Sequence, residues 1–166
     1  MTDASLRAAF LILAIIFAGC DDVKQDIDAA MVEAEQEAAN PELCGQRLRL
    51  IGWAMKEHAT ANGGVYANDF AAIVDLDDDI TNATFTCPDG DESPAAPPFV
   101  LGKNLSYRFT AFGQPEADLN SYRNVIGYCV HEHAGLGANL LLGDGAVELR
   151  KLEDLPPDVQ LDAAGR

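Results

Sequence analysis

The 166-residue chain has the length of one domain, and its 48% apolar and 7% aromatic residues suffice for a packed core. Its 27 acidic residues against 11 basic ones give a formal charge of −16, a field that repels phosphate backbones and excludes nucleic acid as a partner. The acidity is spread along the chain, with clusters at Asp77-Asp78-Asp79 and Asp89/Asp91/Glu92, and reads as a solvated surface.

The N-terminus, "MTDASLRAAFLILAIIFAGC", has a polar head with Arg7 and then an apolar run from Ala8 to Gly19. That run is 12 residues long, whereas a membrane-spanning helix needs about 20. It fits the apolar core of a secretory signal over residues 1–19. Its end, Phe17-Ala18-Gly19-Cys20, resembles the bacterial lipobox. By that resemblance Cys20 is the first mature residue and is lipidated, which places the protein on the extracytoplasmic side of a bacterial membrane. Outside the cytoplasm thiols tend to pair. Cys44, Cys87 and Cys129 then remain, an odd number that allows at most one internal bridge.

Residues 20–40 read as an acidic helical stalk, with Val23, Ile27, Met31 and Ala34 as a narrow apolar stripe. Asn40-Pro41-Glu42 reads as an N-cap, a proline in the first turn and an acid that complements the helix dipole. The spacing of Cys44, Leu48, Ile51 and Met55 predicts a core-facing helix from about residue 41 to 61. Asn62-Gly63-Gly64 ends it, because glycine takes positive φ without a Cβ penalty.

Asp69 caps a short helix through Phe70, Ile73 and Val74, and "TFTCPDGDESPAAPP" reads as a surface loop. Residues 105–112 alternate as a half-buried strand, and "NVIGYCV" (124–130) is a second. "ANLLL" and "AVELR" flank Gly143-Asp144-Gly145, a hairpin turn. The unbroken Leu140-Leu141-Leu142 predicts a strand covered on both faces, and residues 156–166 read as a flexible tail. Together these elements predict an α+β fold, a long helix packed on three or four antiparallel strands.

"LCGQRLRLIGWAMKEHATANGGVYANDF", "FTCP", "LSYRF" and "HEHAGLGANLLLGDGAVELR", in that order, resemble the pseudopilin-like proteins of planctomycetes and their relatives. The resemblance covers roughly residues 41–150, within a pseudopilin-like domain expected over residues 41–155, and implies the headgroup fold of a type IV pilin or a type II secretion pseudopilin. It further implies a Cys44–Cys87 disulfide, closing a loop of roughly 40 residues and contributing about 3–4 kcal/mol. Three departures stand out. A lipobox replaces the prepilin cleavage site. The acidic "DDVKQDIDAAMVEAEQEAA" replaces the apolar half-helix that builds filaments, and its charges are too costly to bury in a bundle. Ala146 stands where the family has a second His, and the spacing from His133 to Asp144 is one residue longer than the family's.

Three kinds of site remain open. Cys129, His131 and His133 would project from one face if residues 129–133 are extended, offering soft ligands to Zn²⁺ or Cu⁺, though structural zinc wants a fourth. The loops "DLDDDITN" and "PDGDES" offer carboxylates to Ca²⁺ without matching an EF-hand. A Cys129–His133 dyad would suit a small hydrolase, but no orienting group is apparent. The leading expectation is a non-enzymatic, lipid-anchored scaffold with an envelope or secretion-machinery partner. Its histidines are structural, with His133 bonded to backbone or to Asp144. The alternative is a metal-binding module.

Overall fold

The computed structural model describes residues 40–74, 76 and 78–161. The expectations for the signal peptide, for Cys20 and for the stalk up to residue 39 lie outside the described residues. Helix α1 covers residues 40–61. Asn40, expected as an N-cap, is already helical, and its side chain serves a different partner described below. The helix ends as expected: Gly64 N donates to Ala59 O at 2.7 Å, with Gly63 at φ 71° and Gly64 at φ 82°.

A 3₁₀ turn, Phe70–Ile73, follows, capped by Asp69 Oδ1, which accepts from Ala72 N at 3.1 Å. A second, Asn82–Phe85, precedes the loop that carries Cys87. Strands β1 (Tyr107–Phe109), β2 (Val125–Cys129), β3 (Ala138–Leu142) and β4 (Val147–Arg150) form one antiparallel sheet in the order β1-β2-β3-β4. The short helix α2, Glu116–Leu119, lies between β1 and β2. Strand β1 is shorter than expected because Leu105 bridges to Leu101 instead of joining the ladder. Gly143-Asp144-Gly145 makes the β3–β4 hairpin, with Gly145 at φ 94° and Asp144 Oδ1 accepting from Ala146 N.

The α+β expectation holds. The α1 stripe Cys44, Leu48, Ile51 and Met55 is buried in one cluster with Tyr107, Phe109, Ile126 and Leu141 of the sheet. Helix and sheet approach closely: a Cβ on Gly52 would stand 2.7 Å from Leu141 Cδ1. The opposite sheet face buries Tyr128, Val130, Leu140 and Leu142 under Leu155, Val159 and Leu161. Strand β3 is therefore covered on both sides, as its continuous apolar run requires.

That cover corrects the reading of the tail. Residues 156–161 do not fray. They cross the sheet and are pinned by Gln160 N, which donates to Tyr128 OH at 3.2 Å. The apolar face of β2 and β3 would otherwise be wet, and the chain leaving β4 supplies the nearest apolar side chains. Among the described residues no helix is long and apolar enough to cross a membrane.

Candidate metal centre

Four side chains from four parts of the chain converge under α1. Cys44 faces inward from α1, Cys87 comes from the middle loop, Cys129 ends β2, and His133 follows in the loop before β3. All four are buried, and their potential ligand atoms lie within 4.8 Å of one another. The expected Cys44–Cys87 disulfide is not formed. Both residues are free thiols, as is Cys129. Two sulfurs in a bridge would sit ~2 Å apart, whereas here a third thiol and an imidazole share the same space.

Each of the four side chains is held by its local structure. Cys44 is placed by the 3.6-residue period that buries Leu48 and Ile51 beside it. Cys87 sits in a tight turn: Gly90 N donates to Cys87 O at 3.1 Å, and the Asp89 backbone amide hydrogen-bonds the Cys87 sulfur. The turn is moored to β1's approach, where Cys87 N donates to Ser106 Oγ at 2.7 Å. Arg47 Nη1 donates to Thr86 O at 2.8 Å, tying α1 to the same loop. His133 stands at the head of a compact loop in which its N donates to Gly137 O at 2.8 Å and Leu136 N donates to His133 O at 2.7 Å. Ala134, the next residue, has φ 42°, a left-handed conformation that costs a non-glycine residue about 1–2 kcal/mol.

His133 Nδ1 is hydrogen-bonded to Asp89 Oδ2, not to Asp144. Its Nε2 lies 3.3 Å from Asn139 Nδ2, which itself donates to Pro41 O at 2.8 Å. With Nδ1 engaged by Asp89, Nε2 is the nitrogen that could turn to a metal, by giving up its contact with Asn139.

The electrostatics favour one negative sulfur. Burial acts against charge on Cys44, but hydrogen bonds from Cys129, Cys87 and His133 overcome it and hold that thiol far below its ordinary range. Burial, together with the Cys44 sulfur, pushes Cys129 well up. At His133 burial would lower the imidazole, yet Cys44 and Asp89 outweigh it and raise it. Tyr107 OH adds a contact to Cys44 Sγ at 3.6 Å.

His131 does not join the set. Strand β2 stops at Cys129 and the backbone bends at residues 130–131, so the alternation that would align 129, 131 and 133 is broken. His131 Nε2 instead pairs with Glu92 Oε1 at 2.7 Å, and Glu92 Oε2 accepts from Ser106 Oγ at 2.8 Å. Two of the three acids of "PDGDES", Asp89 and Glu92, thereby face histidines. In "DLDDDITN", Asp75 and Asp77 lie outside the described residues.

Comparison with known proteins finds no matching family model, no matching curated protein and no matching solved structure. Three cysteines and one histidine match a donor set of tetrahedral Zn²⁺, whose binding would require Cys87 and Cys129 to lose their protons as Cys44 does; Zn–S of about 2.3 Å gives sulfur–sulfur edges of about 3.8 Å. Donor separations of up to 4.8 Å need contract by only about 1 Å to reach that geometry. Cys129 and His133 were visible in the sequence as soft ligands. Cys44 and Cys87 were visible as a pair, but their convergence with the other two was not.

Proposed function

We propose that this protein is a membrane-tethered, extracytoplasmic, pseudopilin-like headgroup whose fold is stapled by one structural zinc ion at Cys44, Cys87, Cys129 and His133. The observation that carries the metal reading is the burial of four zinc-type donors within 4.8 Å of one another. A centre closed by four protein ligands keeps no open position for water or substrate, which supports a structural over a catalytic role. The staple joins α1, the middle loop and the sheet, replacing with one ion the cross-link that a disulfide would supply.

Tethering through Cys20 and a place among envelope or secretion proteins rest on the lipobox-like Phe17-Ala18-Gly19-Cys20 and on the order of motifs across roughly residues 41–150. Trp53, 71% exposed beside a groove of about 610 Å³ between α1 and the Asp144-Gly145 turn, supports a partner-docking face.

The test is mass spectrometry of the full chain extracted in mild detergent, native and then denaturing, with metal analysis. One zinc per chain, no disulfide, loss of residues 1–19 and added acyl mass would support every part of the reading. A Cys44–Cys87 bridge without metal would overturn the staple, and an uncleaved, unlipidated chain would overturn the tether.

A further inference from the structure

Asp89 stands at the rim of the buried cluster, its side chain 20% exposed, and both of its oxygens are in use. Oδ2 meets His133 Nδ1, and Oδ1 accepts from Asn40 Nδ2 at 2.5 Å. The loop around it is built to hold this pose. Its own backbone amide is spent on the Cys87 sulfur, and Cys87 N is fixed to Ser106. On the other side Glu92 is clamped by His131 and Ser106. Gly90 leaves no room for a side chain, because a Cβ there would lie 2.0 Å from Glu92 Oε2 and 2.7 Å from His131 Nε2.

We propose that Asp89 is the positioning residue of the metal centre, fixing the tautomer and ring orientation of His133 and linking that ligand to α1 through Asn40. This rests on the zinc reading above. A neutral imidazole carries one proton, and a carboxylate at Nδ1 draws it there, leaving the Nε2 lone pair free. With the proton on Nε2 instead, the Nδ1 lone pair would face the carboxylate, which no donor would then satisfy. A second, independent contact agrees: the Asn139 amide, a donor, faces Nε2 at 3.3 Å and so also favours the unprotonated nitrogen there, and it is the contact that a bound ion would replace, since one lone pair cannot serve both. Asp89 and Asn139 thus select the same tautomer from opposite sides of the ring. The same two residues hold α1 near Cys44, Asp89 through Asn40 and Asn139 through the Pro41 carbonyl. An imidazole ligand and a thiolate ligand from distant parts of the chain therefore share one frame.

The experiment compares the full chain with its Asp89→Ala and Asp89→Asn variants. The readouts are zinc release to a chromophoric chelator and the absorption of the Co²⁺-substituted proteins. Asp89→Ala is expected to weaken zinc retention by about 10–100-fold and to alter the Co²⁺ d–d bands. Asp89→Asn, whose amide oxygen can still accept from Nδ1–H, is expected to recover most of that retention and the parent spectrum. Equal release rates for the parent and Asp89→Ala would overturn the inference, as would Asn behaving no better than Ala. Failure of the unsubstituted chain to take up zinc or give a thiolate–Co²⁺ spectrum would overturn the zinc reading itself, a separate outcome. If Asp89→Ala fails to fold, Asp89→Asn still decides: retention within about tenfold of the parent with an unchanged spectrum supports the role. Loss of the His ligand signature in Asp89→Asn refutes it.

Discussion

His131 and His133 stand two residues apart and serve different carboxylates: His131 holds Glu92 at 2.7 Å, while His133 holds Asp89 and turns its other nitrogen inward. Their substitutions should therefore separate cleanly. His133→Ala is expected to abolish stoichiometric zinc, and His131→Ala to retain it. A metal that binds a thousandfold above its Kd stabilises by about 4 kcal/mol, so chelation should lower the Tm of the parent by roughly 10–20 °C. His133→Ala should show no further fall with chelator. Metal content and differential scanning calorimetry on the three proteins check this.

Tyr66 gives a prediction in alkali that is independent of the metal. Burial, aided by Glu116, pushes its phenol up to about 12 from 10.0. Below pH 10 both the folded and unfolded chains keep the proton. Between 10 and 12 the unfolded chain loses it while the folded chain retains it, so stability falls, by about 2–3 kcal/mol across that window. Among the described residues its hydroxyl has no hydrogen-bond partner. Tyr66→Phe should then be neutral or stabilising by about 1 kcal/mol near pH 8 and should flatten the alkaline loss. Urea melts of both proteins at pH 8 and pH 11 measure the difference.

Gly52→Ala sets two effects against each other. Alanine gains about 1 kcal/mol of helix propensity. Its Cβ would also lie 2.7 Å from Leu141 Cδ1 and 2.9 Å from Cδ2, in a fully buried layer where overpacking costs about 1–3 kcal/mol. The clash should win, giving net destabilisation of about 1 kcal/mol by denaturant titration.

Deleting residues 155–166 should uncover Tyr128, Val130, Leu140 and Leu142 and remove Leu155, Val159 and Leu161 from that face. A loss of about 2–4 kcal/mol follows from the apolar area returned to water. The truncated protein should also bind a hydrophobic dye that the full chain does not. Unchanged melting with no dye binding would refute the role given to this segment.

The parts of the fold that a short window controls were legible in the sequence. The stripe Cys44, Leu48, Ile51, Met55 and the Gly143-Asp144-Gly145 turn each depend on neighbours a few residues away, and both were placed correctly. Periodicity says which face of α1 is buried but not what waits opposite; the family resemblance implies one thiol there, Cys87, whereas two thiols and an imidazole meet Cys44. The leading reading of His131 as structural agrees with its pairing to Glu92, and the alternative that aligned it with Cys129 and His133 fails at the bend at residues 130–131, which no alternation pattern reports. Asp89 and Glu92 read as solvated charge because their histidine partners are 44 and 39 positions away. Residues 156–161 read as frayed because Val159 and Leu161 make no periodic pattern, and only the uncovered sheet face gives them a place.

If the chain is exported and takes up zinc as proposed, the donors at positions 44, 87, 129 and 133 impose an order of events during biogenesis. The last of them would leave the export channel long after the first, so no ion could be captured until most of the domain had emerged. Until then the three thiols would travel through an oxidising space with nothing to protect them. Any two that pair early remove half of the donor set and trap the chain. Because contacts this far apart in sequence form slowly, the yield of correctly assembled protein should be set by a race between zinc and oxidant, and zinc supply during secretion should matter more than zinc supply afterwards.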